Sequence, residues 1–239
     1  MNETKDNAFY RADEEIEWLI SDEVIPYEHA IDWMETRVEK IALGEEKEAI
    51  WFLEHPPLYT AGTSAKSEDL LTHDALPVYK AGRGGQYTYH GPGQRIIYIM
   101  LDLNKRQKDV RAFITMLEDV MKAALEELNI TAYTHPDRVG VWVKRENGAT
   151  QEDKIGAIGV RLRKWVSFHG VSINIDPDLS HFDGIIPCGI HKTESGLGIT
   201  SLWDLGHIIT MPEFDLILHQ KLEQKLGKIS LLKTDKKSK

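Results

Sequence analysis

Apolar residues recur at helical spacing in three parts of the chain. In residues 27–41 they are Tyr27, Ala30, Ile31, Met34, Val38 and Ile41, and Gly44 supplies a stop. Residues 110–128 repeat them at Val110, Phe113, Ile114, Leu117, Val120, Met121, Ala124, Leu125 and Leu128, an amphipathic helix. Residues 214–226 form the last helix. Elsewhere the apolar residues come in short runs of strand type. Ala49-Ile50-Trp51-Phe52-Leu53 is one, closed by Pro56-Pro57, which cannot continue a ladder. Residues 78–80, 95–101 and 139–143 are others, and residues 96–101 are too apolar for an exposed edge. Residues 154–162 and 165–175 pair as a hairpin, and residues 197–202 read as strand or turn.

The polar stretches fill the gaps. The acidic residues up to about 21 read as a loose lead-in that pairs at most at a sheet edge, with Trp18, Leu19 and Ile20 as its apolar cluster. Residues 61–76 read as loop with a helical turn, 144–153 as a polar turn, and 233–239 as a disordered basic tail. Helices interleaved with mostly antiparallel strands predict an α+β fold, a mixed, mainly antiparallel sheet with flanking helices. No repeat or linker divides the 239 residues, so a single domain with its core in about residues 22–226 is expected.

Composition and charge narrow the classes. A formal net charge of −9 argues against general nucleic-acid binding. No apolar run approaches the roughly 20 residues of a membrane span, and the polar N-terminus does not resemble a signal peptide. Cys188 is the only cysteine, which excludes an internal disulfide and fits a reducing cytoplasm. The ten histidines are scattered without metal-ligand spacing, so neither a metal nor another cofactor is expected.

Two segments carry candidate chemistry. Pro187 and Gly189 flank Cys188, holding the thiol in a turn, and Lys154 opens the glycine-bearing run Lys154-Ile155-Gly156-Ala157-Ile158-Gly159. A cation beside a thiol favours the nucleophilic thiolate. The other segment runs Gly82-Arg83-Gly84-Gly85-Gln86-Tyr87-Thr88-Tyr89-His90-Gly91-Pro92-Gly93-Gln94. It matches neither a P-loop nor a dinucleotide fingerprint; its glycines let backbone approach a ligand, or simply form a hairpin. His90, His169 and His191 lie beside these segments as candidates for acid–base work or as structural histidines.

Glu54-His55-Pro56-Pro57-Leu58-Tyr59-Thr60-Ala61-Gly62, the segment from Arg83 to Gln94, the Lys154 run and Pro187-Cys188-Gly189-Ile190 together resemble the lipoyl(octanoyl) transferase family. The likeness spans about residues 27–202. It implies the catalytic-domain fold of the biotin and lipoate protein ligase superfamily. It also implies transfer of an octanoyl or lipoyl group from acyl carrier protein to a lysine on lipoyl domains of 2-oxoacid dehydrogenase complexes and on the glycine-cleavage H protein, the first step of endogenous lipoate attachment. By this resemblance Cys188 is the thioester nucleophile and Lys154 the residue that lowers its pKa. Arg83, Gly84, Gly85, Gln86, Tyr87, Thr88, Tyr89 and His90 line the acyl site, opposite Ala157, Ile158, Gly159, Gly170, Val171 and Ser172. Arg161, Arg163, Lys164 and Lys144 are the basic contacts expected to meet acidic protein partners.

Rival readings differ in their chemistry. An ATP-dependent lipoate or biotin protein ligase of the same superfamily needs no cysteine. A binding module for lipoylated or biotinylated domains has no use for Lys154 and Cys188 together. A Cys/His thioesterase releases free acid without any acceptor.

Overall fold

The computed structural model describes residues 8–72, 75–145, 152–186 and 197–232. Its strands are β1 (Ile16–Val24), β2 (Ala49–Glu54), β3 (Leu58–Ala61), β4 (Val78–Lys80), β5 (Tyr87–His90), β6 (Gln94–Met100), β7 (Ala132–His135), β8 (Arg138–Lys144), β9 (Glu152–Arg163), β10 (Val166–Asn174), β11 (Gly198–Ile199) and β12 (Ile229–Leu231). Its helices are α1 (Tyr27–Leu43), α2 (Val110–Glu126) and α3 (Met211–Leu226).

Among the described residues the main sheet runs β12-β1-β2-β6-β10-β9-β8-β7, with β11 added alongside β9. The ladders from β2 to β7 are antiparallel, and those of β1 with β12 and β2 are parallel. The fold is therefore α+β, as the pattern of helices and strands predicts.

Strand periodicity explains how the helices divide. Ile50, Phe52, Ile97 and Ile99 face one way and pack with Phe113, Leu117 and Met121 of α2 and with Phe214 and Leu218 of α3. Trp51, Leu53, Ile96, Tyr98 and Met100 face the other way and pack with Ala30, Met34, Val38 and Ile41 of α1. Each helix ends on a chemical signal. Gly44 terminates α1 in the left-handed conformation at φ 75°, Asp109 caps α2 by accepting from the backbone N–H groups of Arg111 and Ala112, and a Thr210/Glu213 capping box starts α3. A buried bidentate pair, Arg95 Nε to Asp215 Oδ1 at 2.9 Å and Nη2 to Oδ2 at 2.7 Å, fixes α3 to β6.

Three local expectations change. The acidic lead-in is β1, flanked by β12 and β2 rather than loose, with Ile16 and Trp18 in the main core. Its acids did not prevent this because Glu17 pairs with Arg37 and Glu15 with Lys47 and Lys228. Two short strands also emerge where no clean alternation marks them: β3 follows Pro56-Pro57 directly, and the partly exposed β7 pairs, among the described residues, only with β8. Finally, the glycine-rich segment is not a hairpin. β4 pairs parallel to β3 and β5 pairs antiparallel to it, so the segment crosses from one side of β3 to the other. The 154–175 hairpin does form, closed by Lys164 and Trp165, both with positive φ (53° and 65°), which matches the right-handed twist of the strands. The 144–153 turn and the 233–239 tail lie mostly or wholly outside the described residues.

Candidate functional site

The crossing segment docks on the main sheet beside the β9–β10 hairpin. Gly84 N donates to Val160 O at 3.2 Å, while the backbone of residues 62–64 donates to the carbonyls of Gln86, Arg83 and Gly85. Glycine is required at Gly62, where a Cβ would stand 2.2 Å from Gly85 O. Gly159 leaves room for Arg83, whose Cδ would lie 2.6 Å from a Cβ there.

This docking encloses a cleft of about 530 Å³ of non-atom space, continuous with solvent. Thirteen of the fourteen residues expected at the acyl site line it: Arg83, Gly84, Gly85, Gln86, Tyr87, Thr88, His90, Ala157, Ile158, Gly159, Gly170, Val171 and Ser172. Tyr89 does not. Its ring instead meets Phe182 at 5.3 Å and His181 at 4.9 Å, in a cluster that includes Tyr59 and Ile185. Among the described residues, Tyr27, Ile96, Tyr98 and His169 complete the lining. The positions of Tyr27, Ile96 and Tyr98 in α1 and β6 read in sequence only as core periodicity, which carries no signal for a cleft, whereas His169 is one of the three histidines the sequence marks out as candidates.

A second recess, about 290 Å³, is lined by Lys154, Gln94, Gly156, Asn174, Phe182 and Ile199 together with Thr88, Ala157 and Ser172. The last three line the first cleft as well, so the two spaces adjoin there. Lys154 is buried, donates from Nζ to Val139 O at 2.9 Å and lies over the Trp142 ring, 5.4 Å from its centroid. Cys188 and His191 lie outside the described residues.

The polar groups of the cleft form a directed network. Asn174 Nδ2 donates to the Thr200 carbonyl at 2.9 Å, and that oxygen only accepts. Asn174 Oδ1 therefore accepts from Gln94 Nε2 at 2.9 Å, and Gln94 Oε1 accepts from His90 Nδ1 at 2.7 Å. His90 Nε2 is left as an acceptor 3.5 Å from Thr60 Oγ1, which itself accepts from Arg83 Nη2 at 2.7 Å. The same logic applies to His55: Nδ1 donates to Ile25 O at 2.6 Å, so Nε2 accepts from the Tyr98 hydroxyl at 2.7 Å.

Burial keeps these rings neutral. Desolvation, reinforced by neighbouring charges, pushes His90 and His169 down to about 3, and desolvation pushes His55 down to about 4. Desolvation raises Tyr27 to about 12. His90 and His169 are thus poor proton donors near neutrality, and among the described lining residues Arg83, hydrogen-bonded to Thr60 and Gly84, is the charged one. Among the described residues, no cluster of three or more histidine, cysteine or carboxylate side chains offers a metal site, and no helix is long and apolar enough to cross a membrane.

The expected basic patch splits. Arg161, Arg163 and Lys164 sit together at the β9–β10 turn, whereas Lys144 pairs opposite Glu152, nine residues back along β9 and roughly 30 Å away at the strand rise.

An α+β sheet flanked by helices, with a glycine-lined cleft running up to a buried lysine, defines a catalytic domain with the lipoate protein ligase fold. It is similar to the bipartite lipoate protein ligase of Thermoplasma acidophilum, with a TM-score of 0.64 over 94% of this chain and 87% of the other at 14% identity, a likeness of fold alone. Residues 26–223 match the lipoyl protein ligase A/B catalytic domain, and the chain belongs to that family. Among its relatives are the octanoyltransferase of Parvibaculum lavamentivorans, 58% identical over 89% of this chain and 93% of the relative, and that of Jannaschia sp., 56% identical over 89% and 99%.

Proposed function

We propose that this protein is a cytoplasmic octanoyltransferase that moves an octanoyl or lipoyl group from acyl carrier protein to a lysine ε-amine of lipoyl domains, in 2-oxoacid dehydrogenase complexes and in the glycine-cleavage H protein. Its single domain would carry out both half-reactions without nucleotide or metal. Relatives bearing the name octanoyltransferase at 58% and 56% identity support the reaction class. The observation that carries the site is the junction of the two cavities: the glycine-lined cleft meets the Lys154 recess at Thr88, Ala157 and Ser172. An alkyl chain in the cleft would place its carbonyl at that junction, where buried methylenes contribute about 0.8 kcal/mol each.

In this reading the Lys154 ammonium favours Cys188 as the thiolate, which attacks the donor thioester. The C–S bond to the phosphopantetheine sulfur breaks, and that thiolate leaves with a proton from Lys154. The acceptor amine then attacks the acyl-enzyme, the Cys188 thioester breaks, an amide forms, and the amine's proton goes to the now neutral Lys154, which restores the ammonium beside the thiolate. The acyl group stays at thioester energy until the amide forms.

Intact mass spectrometry after incubation with octanoyl carrier protein tests this. Wild type should gain one octanoyl group, Cys188→Ser none by a thioester route, and Lys154→Arg the adduct only slowly. An unmodified wild type that instead attaches free octanoate with ATP would make the protein a ligase, and free acid released without an acceptor would make it a thioesterase.

A further inference from the structure

On the other side of the cleft from Lys154 lies a third space, a groove along α1 lined by Glu28, Asp32 and Glu35 and, opposite them, by Lys80 and Arg161. Among the described residues the cleft and this groove share two lining residues, Tyr27 and His169. Both are buried, and both belong to an unbroken series of ring contacts. Tyr79 meets Tyr27 at 5.0 Å, Tyr27 meets His55 at 5.4 Å, His55 meets Tyr98 at 5.8 Å, Tyr98 meets His169 at 6.0 Å, and His169 meets Phe168 at 4.6 Å.

His169 is the unusual member. Its backbone has φ 61°, a conformation that glycine adopts freely and a side chain seldom does. Its Nε2 is buried without a hydrogen-bond partner among the described residues. The ring is therefore held in a strained backbone position without a polar bond at Nε2 to account for it, and its bulk is what it contributes. Ser172 at the cavity junction lies three positions further along β10, roughly 10 Å at the strand rise, which is about the reach of an extended eight-carbon chain.

We infer that Tyr27 and His169 form the partition that closes the acyl cleft and sets the length of chain the enzyme accepts. Beyond it a longer tail would enter a groove bordered by charged side chains. This rests on the cleft being the acyl site, as proposed above, and the test separates the two.

The ratio of kcat/KM for dodecanoyl over octanoyl carrier protein is measured in wild type, His169→Gly and Tyr27→Ala. Glycine suits the backbone at position 169, and His169→Asn, smaller and tolerant of positive φ, repeats the measurement should the glycine variant not fold. The ratio should rise about ten-fold or more in variants whose melting shows them folded. An unchanged ratio overturns the partition. Ala157→Leu, which fills the cleft at its junction with the Lys154 recess, discriminates further. If it still blocks octanoyl transfer while the ratio is unchanged, the acyl site stands and only the partition falls; if octanoyl transfer is untouched, both fall.

Discussion

Lys154 occupies the space that a side chain at Gly140 would need. A Cβ on Gly140 would stand 2.4 Å from Lys154 Cε and 2.9 Å from Nζ, and Gly140 itself has φ 129°, where side chains are rare. The adjacent carbonyl, Val139 O, receives the Lys154 ammonium. Gly140→Ala should therefore cost about 1–3 kcal/mol of stability through backbone strain and also push the lysine out of its recess. Acyl transfer should fall about ten-fold or more at temperatures where the variant is folded. Gly156→Ala serves as comparison, because its Cβ meets chiefly the flexible end of Met121. Equal losses in both variants would show that glycine loss, not lysine displacement, is responsible.

The amide relay makes a prediction about one imidazole. In Gln94→Glu, the carboxylate no longer donates to Asn174 Oδ1, and it sets a negative charge beside His90 Nδ1. The pKa of His90 should rise from about 3 by a unit or more, read by NMR titration of the ring. Stability should drop by about 1–3 kcal/mol as Asn174 loses its donor. A His90 resonance that titrates as in wild type would mean that the side chain at position 94 does not contact the ring.

How much of this was legible beforehand depends on what each residue signals locally. The helices and the central strands announce themselves because 3.6-residue and two-residue periods survive burial. Lys154 and the Arg83–His90 segment could be singled out because they carry unusual residue types in dense glycine contexts. Tyr27 and Tyr98 could not be assigned to the cleft, since a tyrosine on a helix or in an apolar strand looks like core until the strand order brings it beside the glycines; His169 could be named as a candidate, but its place in the wall depends on the same strand order. β1 was obscured by its acids, whose partners Arg37, Lys47 and Lys228 come from distant parts of the chain. The strand register, not sequence distance, separates Lys144 from Arg161.

Three buried neutral histidines make stability depend on pH. Unfolded imidazoles take up protons below about 6.5, whereas His55, His90 and His169 resist until about 4, 3 and 3. The unfolded state thus binds more protons, so this stabilisation is complete above about pH 6.5 and is lost as pH falls toward 4. Each histidine accounts for about 2 kcal/mol between pH 7.5 and 5. Asp215, which desolvation raises to about 6 despite Arg95, acts in the opposite sense and offsets part of the loss. Urea midpoints should decline from pH 7 to 5, and the three ring resonances should stay nearly flat to about pH 5 while the protein is folded. Any of these rings titrating near 6.5 in the folded state would contradict the assignment.

Steering of the acidic donor should depend on one end of the β9–β10 hairpin and not on the other end of β9. Arg161, Arg163 and Lys164 are exposed there, and Lys108 reaches the neighbouring Trp165 ring at 6.0 Å, adding a fourth cation. Exposed charges act mainly on encounter, over a Debye length of about 10 Å at 0.1 M salt. Arg161 also lies over Phe168, 5.6 Å from its centroid, so its replacement alters packing as well as charge. Arg163→Glu is the cleaner change. Combined with Arg161→Glu it should slow acylation by octanoyl carrier protein about ten-fold at low salt and by less than about two-fold at 0.5 M. Lys144→Glu, roughly 30 Å along the strand, should leave that rate unchanged. Stopped-flow acylation at the two salt concentrations reads all three variants, and a deficit that persists at high salt would mean that lost packing around Phe168, not lost attraction, slows the reaction.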